Sequence, residues 1–211
     1  MFPLYDESAL KLKPPYVTLF LIFINVSISV FIFLEGNLEE VIFKYGTTPS
    51  QILEGRALFT PFTSLFIHAG FIHLIGNMWF LWLFGDNVEY NLGKIRFFIF
   101  YLLMGIFASL VHISLAPLDQ AHIPAVGASG AISGLLGGYL VLYPRNRIKA
   151  FLMSFYHPIV FWVPAYFYIG FWFILQLLLV GQATFVAYLA HIGGFVAGIF
   201  LIFFFKRKKR R

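Results

Sequence analysis

AFLMSFYHPIVFWVPAYFYIGFWFILQLLLVGQATFVAYLAHIGGFVAGIFLIFFF, residues Ala150 to Phe205, contains no Lys, Arg, Asp or Glu over 56 positions. As one helix it would extend about 84 Å, at about 1.5 Å per residue, against a bilayer hydrocarbon core of about 30 Å. It therefore crosses twice. Gly181 and Gln182 mark the turn between an aromatic half, Phe161 to Val180, and a second half, Thr184 to Phe205. Upstream lie four more uncharged runs: Tyr16 to Leu34 (19 residues), Ala57 to Gly85 (29), Phe97 to Leu118 (22) and Gln120 to Pro144 (25). Each matches or exceeds the ~18–20 residues that span a bilayer, so the expectation is an all-α membrane protein of six transmembrane helices.

Composition agrees, with 60% apolar, 20% aromatic and only 11% charged residues and a mean hydropathy of +0.85. Soluble domains carry roughly a quarter charged residues. The chain has no cysteine, which removes disulfides, Cys-ligated zinc and thiol chemistry. The first apolar run is too long for a signal h-region and is followed by Glu35-Gly36-Asn37 instead of a small-residue cleavage site, so no cleaved signal is expected. The chain divides into an N-terminal segment 1–15, a six-span domain 16–205 and a basic tail 206–211.

Six spans put both termini on one side, together with 13 of the 15 basic residues; only Lys44 and Arg56 face the other way. The positive-inside rule makes the basic side cytoplasmic, in the plasma (inner) membrane. The run Lys206 to Arg211 reads as an anchor beside anionic lipid, with no nucleic-acid partner. The first external connection, about Glu35 to Ile67, mixes Gly and Pro with apolar residues, as a structured loop lying in the interface would.

Polar side chains inside a bilayer are costly, so each is a functional candidate. Span 2 holds His73 and Asn77, span 4 opens with Ser129, and span 6 holds His191. Spans 2, 4 and 6 run in the same direction, and each residue falls in roughly the first two turns, so all four reach one layer some 5–12 Å below the outer face. In isolation the i, i+4 pair His73/Asn77 reads as a hydrogen-bonded link between helices. Ser129 alone reads as a serine bonded to its own backbone. Small-residue stripes change the weighting: Gly130, Gly134 and Gly138 in span 4 and Ala190, Gly194 and Gly198 in span 6 allow close approach of those two helices. That approach would bring a hydroxyl to an imidazole.

A serine within reach of a neutral histidine is the minimum for an activated nucleophile. Spans 2 to 6 offer no membrane-embedded carboxylate to orient the histidine, since Asp86 lies about 14 Å deeper than Asn77. A dyad of Ser129 and His191 is implied. Asn77, His73 and the free backbone N–H of Ser129 at a helix N-terminus are the available oxyanion donors.

With these pieces in view the sequence resembles the rhomboid family of intramembrane serine proteases, in its compact six-span form. The resemblance rests on His68-Ala-Gly-Phe-Ile-His73-Leu-Ile-Gly-Asn77, Phe84-Gly85-Asp86-Asn87-Val88-Glu89, Gly127-Ala128-Ser129-Gly130 and Ala190-His191-Ile-Gly-Gly194-Phe-Val-Ala-Gly198. It implies Ser129 as nucleophile, His191 as base, and His73 and Asn77 at the oxyanion site. It also implies single-span membrane proteins as substrates, cut near the outer boundary. Two departures stand out. The Trp-Arg pair that some members carry in the first loop falls at Phe59-Thr60, and the residue one turn after the nucleophile, aromatic in some members, is Ser133.

Four rings expected in span 5, Phe161, Trp162, Phe171 and Trp172, form a candidate substrate gate. His68, His112, His122 and His157 fall at span ends or in loops and read as interfacial hydrogen-bonding groups. No zinc site or other cofactor is indicated, for there is no His-Glu-x-x-His pair. Two other functions compete: a non-proteolytic rhomboid-like binder of transmembrane segments, and a small transporter using His and Asn as a relay. The transporter would carry repeat symmetry between its halves, and the sequence shows none.

Overall fold

The computed structural model describes residues 1–7, 14–153, 157–182 and 186–207. Lys11, Lys13, the expected Thr184 start of the last span and the tail positions 208–211 lie outside the described residues. Helix dominates. α1 (Tyr16–Glu35) leads into a first connection folded as three short helices, α2 (Leu38–Tyr45), α3 (Pro49–Leu53) and α4 (Thr60–Thr63), with a 3-10 turn at Ser64–Phe66. Five more helices follow: α5 (Phe71–Leu92), α6 (Lys94–Leu115), α7 (Ser129–Leu142), α8 (Ala165–Leu179) and α9 (Tyr188–Phe205).

Among the described residues three helices, α1, α6 and α9, are long and apolar enough to cross a membrane. The segment Thr60–Phe66 and α5 meet at 92°, and counted as one bent span they make a fourth. α7 and α8 are apolar but shorter. The chain is a mostly helical, multi-pass membrane protein.

The all-α expectation is corrected by a three-stranded antiparallel sheet. β1 (Phe2–Asp6), β2 (Arg147–Met153) and β3 (Pro158–Pro164) pair in that order, with Phe2 opposite Phe151 and Arg147 opposite Pro164. Phe161 and Trp162, expected in the fifth span, lie on β3 opposite Ala150 and Lys149. The cause is local. Ile159, Val160, Phe161, Trp162 and Val163 are β-branched or aromatic, which suits a pleated surface. Pro164, which cannot donate within a helix, stands at the N-cap of α8 and delays its start to Ala165.

β1 is tied to the helices by a buried carboxylate. Asp6 accepts hydrogen bonds from Asn87 Nδ2 of α5 at 2.7 Å and from the Tyr139 hydroxyl of α7 at 2.8 Å. A second carboxylate on α5 holds α1: Glu89 accepts from the backbone N–H groups of Val17 (3.0 Å) and Thr18 (2.8 Å) and from the Thr18 hydroxyl (2.9 Å). Those amides open α1 and have no acceptor within it, so a side chain from another helix performs the capping.

α7 sits at the centre, with every residue from Gly130 to Tyr139 buried. A Cβ on Gly130 would stand 2.6 Å from Ala108 of α6, and one on Gly134 would reach Met104 of the same helix. On the other side a Cβ on Gly194 or Gly198 of α9 would collide with the backbone carbonyls of Gly130 and Gly134, and one on Gly137 with that of Phe195. α7 and α9 therefore meet backbone to backbone, while α6 packs the side chains of Ala108 and Met104 onto the glycines of α7. In lipid, where apolar association between helices gains little from water, such van der Waals contact is the main cohesive term.

Candidate active site

Ser129 is the first residue of α7, so its side chain is delivered by a helix N-terminus whose leading N–H groups lack intrahelical partners. At ~1.5 Å per residue α7 rises only about 21 Å, less than the ~30 Å hydrocarbon thickness, so its start can lie below the membrane surface. The preceding turn is fixed by Gly127, whose φ of 119° is open to glycine and strained for other residues. Its amide donates to the Ser64 carbonyl at 2.9 Å. Two residues earlier Ala125 bridges to Thr47 in the first connection.

His191 lies in the first turn of α9, and its Nε2 stands 2.8 Å from Ser129 Oγ. The glycine contacts between α7 and α9 make this distance possible. The opposite ring nitrogen, Nδ1, stands 2.8 Å from Gln176 Oε1 on α8. Ring centroids of Trp172 and Tyr188 lie 6.2 Å and 6.3 Å from that of His191. Ser133 does not face the imidazole: its hydroxyl donates to the Ser129 carbonyl at 2.6 Å, one turn back. Trp172, reaching in from the neighbouring helix, supplies a ring on the histidine where Ser133 cannot.

His73 and Asn77 lie near the start of α5, one turn apart, with Asn77 buried. Asn77 Nδ2 donates to the His73 carbonyl at 3.1 Å, which leaves its second N–H for another acceptor. His73 Nδ1 accepts from the Ala69 amide at 3.4 Å, so the ring's proton sits on Nε2. A Cβ on Gly127 would stand 2.7 Å from His73 Nε2 and 3.6 Å from Asn77 Nδ2, so both donors border the turn that presents Ser129. The four residues singled out from the sequence thus lie around one turn.

The candidate gate is not brought together. Phe171 and Trp172 are on α8, with Trp172 beside His191, whereas Phe161 and Trp162 belong to β3, beyond the end of α8 remote from Gln176. His68 is buried and bonds Ser29 of α1 across 3.1 Å. Among the described residues no group of three His, Cys, Asp or Glu side chains could hold a metal ion. The residue that sequence reasoning missed is Gln176. Its signal was available: it is the one side-chain amide in the otherwise apolar and aromatic Ala165–Leu179.

A multi-pass helical membrane protein with a serine and a histidine hydrogen-bonded inside its bundle is the class that fold and site define. Residues 55–208 match the family model described as Rhomboid domain, and the chain belongs to the rhomboid family. It is 44% identical to YdcA of Bacillus subtilis over 88 residues, 41% of this chain and 42% of YdcA. It is 31% identical to the rhomboid protease GluP of the same organism over 192 residues, 89% of this chain and 34% of GluP. It is also 28% identical to the inactive RHOMBOID-like protein 8 of Arabidopsis thaliana over 158 residues, 72% of this chain and 39% of that protein. The chain spans less than half the length of each of these relatives.

Proposed function

We propose that the protein is an intramembrane serine endopeptidase that hydrolyses peptide bonds in or near the transmembrane segments of single-span membrane proteins. The observation that carries this reading is the 2.8 Å contact between His191 Nε2 and Ser129 Oγ, made by side chains on two different helices. The Ser129 proton passes to His191 Nε2 as Oγ bonds the scissile carbonyl carbon. The resulting oxyanion is held by Asn77, His73 and the Ser129 backbone N–H. On collapse the C–N bond breaks and the same proton goes to the leaving amine. Water then repeats the sequence on the acyl-enzyme, releasing the acid and restoring the hydroxyl.

In this reading the six helices α1 and α5–α9 each cross the membrane as one domain over 16–205. Both termini, segments 1–15 and 206–211, face the cytoplasm at the plasma membrane, as the distribution of Lys and Arg favours. The gate reduces to Phe171 and Trp172 on α8. Phe171→Ala should alter the cleavage rate of a membrane-embedded substrate, and an unchanged rate would remove Phe171 from the gate.

A non-proteolytic binder of transmembrane segments is the second reading, favoured by the relative named inactive. One assay separates the two. Purified protein in liposomes is incubated with a single-span substrate, and the parent is compared with Ser129→Ala and His191→Ala. Loss of cleavage in both supports the protease; binding of the segment without cleavage by the parent supports the binder.

A further inference from the structure

We infer that Gln176 is a positioning residue for the base, standing where a triad has its carboxylate. This rests on the protease reading above.

Gln176 is buried on α8, yet both polar atoms of its side chain are used. Its Nε2 donates to the Trp172 carbonyl one turn back at 3.2 Å. That bond fixes which way round the amide sits, so the atom facing His191 is the oxygen, an acceptor only. Nδ1 of His191, 2.8 Å away, must therefore carry the ring's proton. The lone pair is then on Nε2, aimed at the Ser129 hydroxyl across 2.8 Å. One glutamine thus selects the tautomer able to accept the serine proton and holds the ring plane toward Oγ.

The chemistry of the attack strengthens this bond. When Nε2 takes the proton the ring becomes cationic, and the Nδ1–H to Oε1 contact becomes charge-assisted. A neutral amide stabilises that cation less than a carboxylate would, but it places no second ionised group in the bundle. Among the described residues no side chain other than Gln176 and Ser129 hydrogen-bonds the His191 ring. Trp172 and Tyr188 approach it with their rings.

The test compares the full-length parent with Gln176→Leu and Gln176→Glu in liposomes, with Ser129→Ala as control. Leucine keeps the bulk and removes the acceptor; it should lower kcat about 10–100-fold, with KM within about twofold. Glutamate presents an acceptor oxygen in either protonation state and should restore most of the loss. Parental kcat in Gln176→Leu, with Ser129→Ala inactive, overturns the positioning role and leaves the protease reading intact. Cleavage by Ser129→Ala overturns the protease reading itself. Nitrogen NMR of the parent's His191 ring gives a readout that no misfolded variant can spoil. A protonated Nδ1 and bare Nε2 are expected, and the opposite tautomer overturns the inference.

Discussion

Gly198 of α9 lies against the carbonyl of Gly134 in α7 so closely that a single methyl group on it would overlap the Gly134 backbone. Neither partner can yield by rotating a side chain, because both contact surfaces are main chain. The same helix pair carries His191 and Ser129, so the spacing that the glycines set is the spacing across which the proposed proton transfer would run.

Gly198→Ala should destabilise the protein by about 1–3 kcal/mol, the usual cost of overpacking, and lower the cleavage rate as α9 is pushed from α7. Gly170→Ala on α8 is the control, since a Cβ there has nothing within 4 Å. Thermal unfolding in detergent should show a lowered midpoint for the first variant and none for the second. Equal midpoints would mean that α7 and α9 are held by something other than this contact.

Glu89→Ala removes the acceptor shared by the Val17 and Thr18 amides and the Thr18 hydroxyl. Leaving a buried donor unpaired costs about 1–3 kcal/mol, so the variant should unfold at lower temperature and expose the N-terminal side of α1 to added protease. Activity per folded molecule should stay at the parental level, because Glu89 lies more than three turns along α5 from Asn77. An unaltered midpoint would count against the capping role.

Much of this architecture is legible in the sequence, and the reason is energetic. A His, an Asn or a Ser inside an apolar run costs so much that spacing along each span places it in depth, and the small-residue stripes say which helices approach. The third strand was hidden because an uncharged run satisfies a membrane helix and an apolar strand alike; β3 is set apart by its two prolines and its β-branched content. Gln176 was hidden for another reason. Asn77 stands four residues from His73, whereas Gln176 has no polar residue at helical spacing in its span, and the absence of a nearby carboxylate suggested a dyad with nothing behind it.

Asn77→Ala should reduce kcat about 10–1000-fold without lowering the unfolding temperature, as loss of one oxyanion donor does elsewhere. Gly127→Ala should also reduce the rate, since its Cβ would press on the His73 ring at 2.7 Å. Steady-state cleavage of a single-span substrate measures both. A parental rate in Asn77→Ala would return that residue to a structural link within α5.

The most direct measurement is covalent. A fluorophosphonate should lose fluoride and form a phosphorus–oxygen bond to Ser129 Oγ, mapped by mass spectrometry to that residue. His191→Ala should slow the labelling about 100-fold or more, the scale of a lost general base. Label found on another residue, or labelling of Ser129 at an undiminished rate without His191, would contradict the claim that this histidine activates this serine.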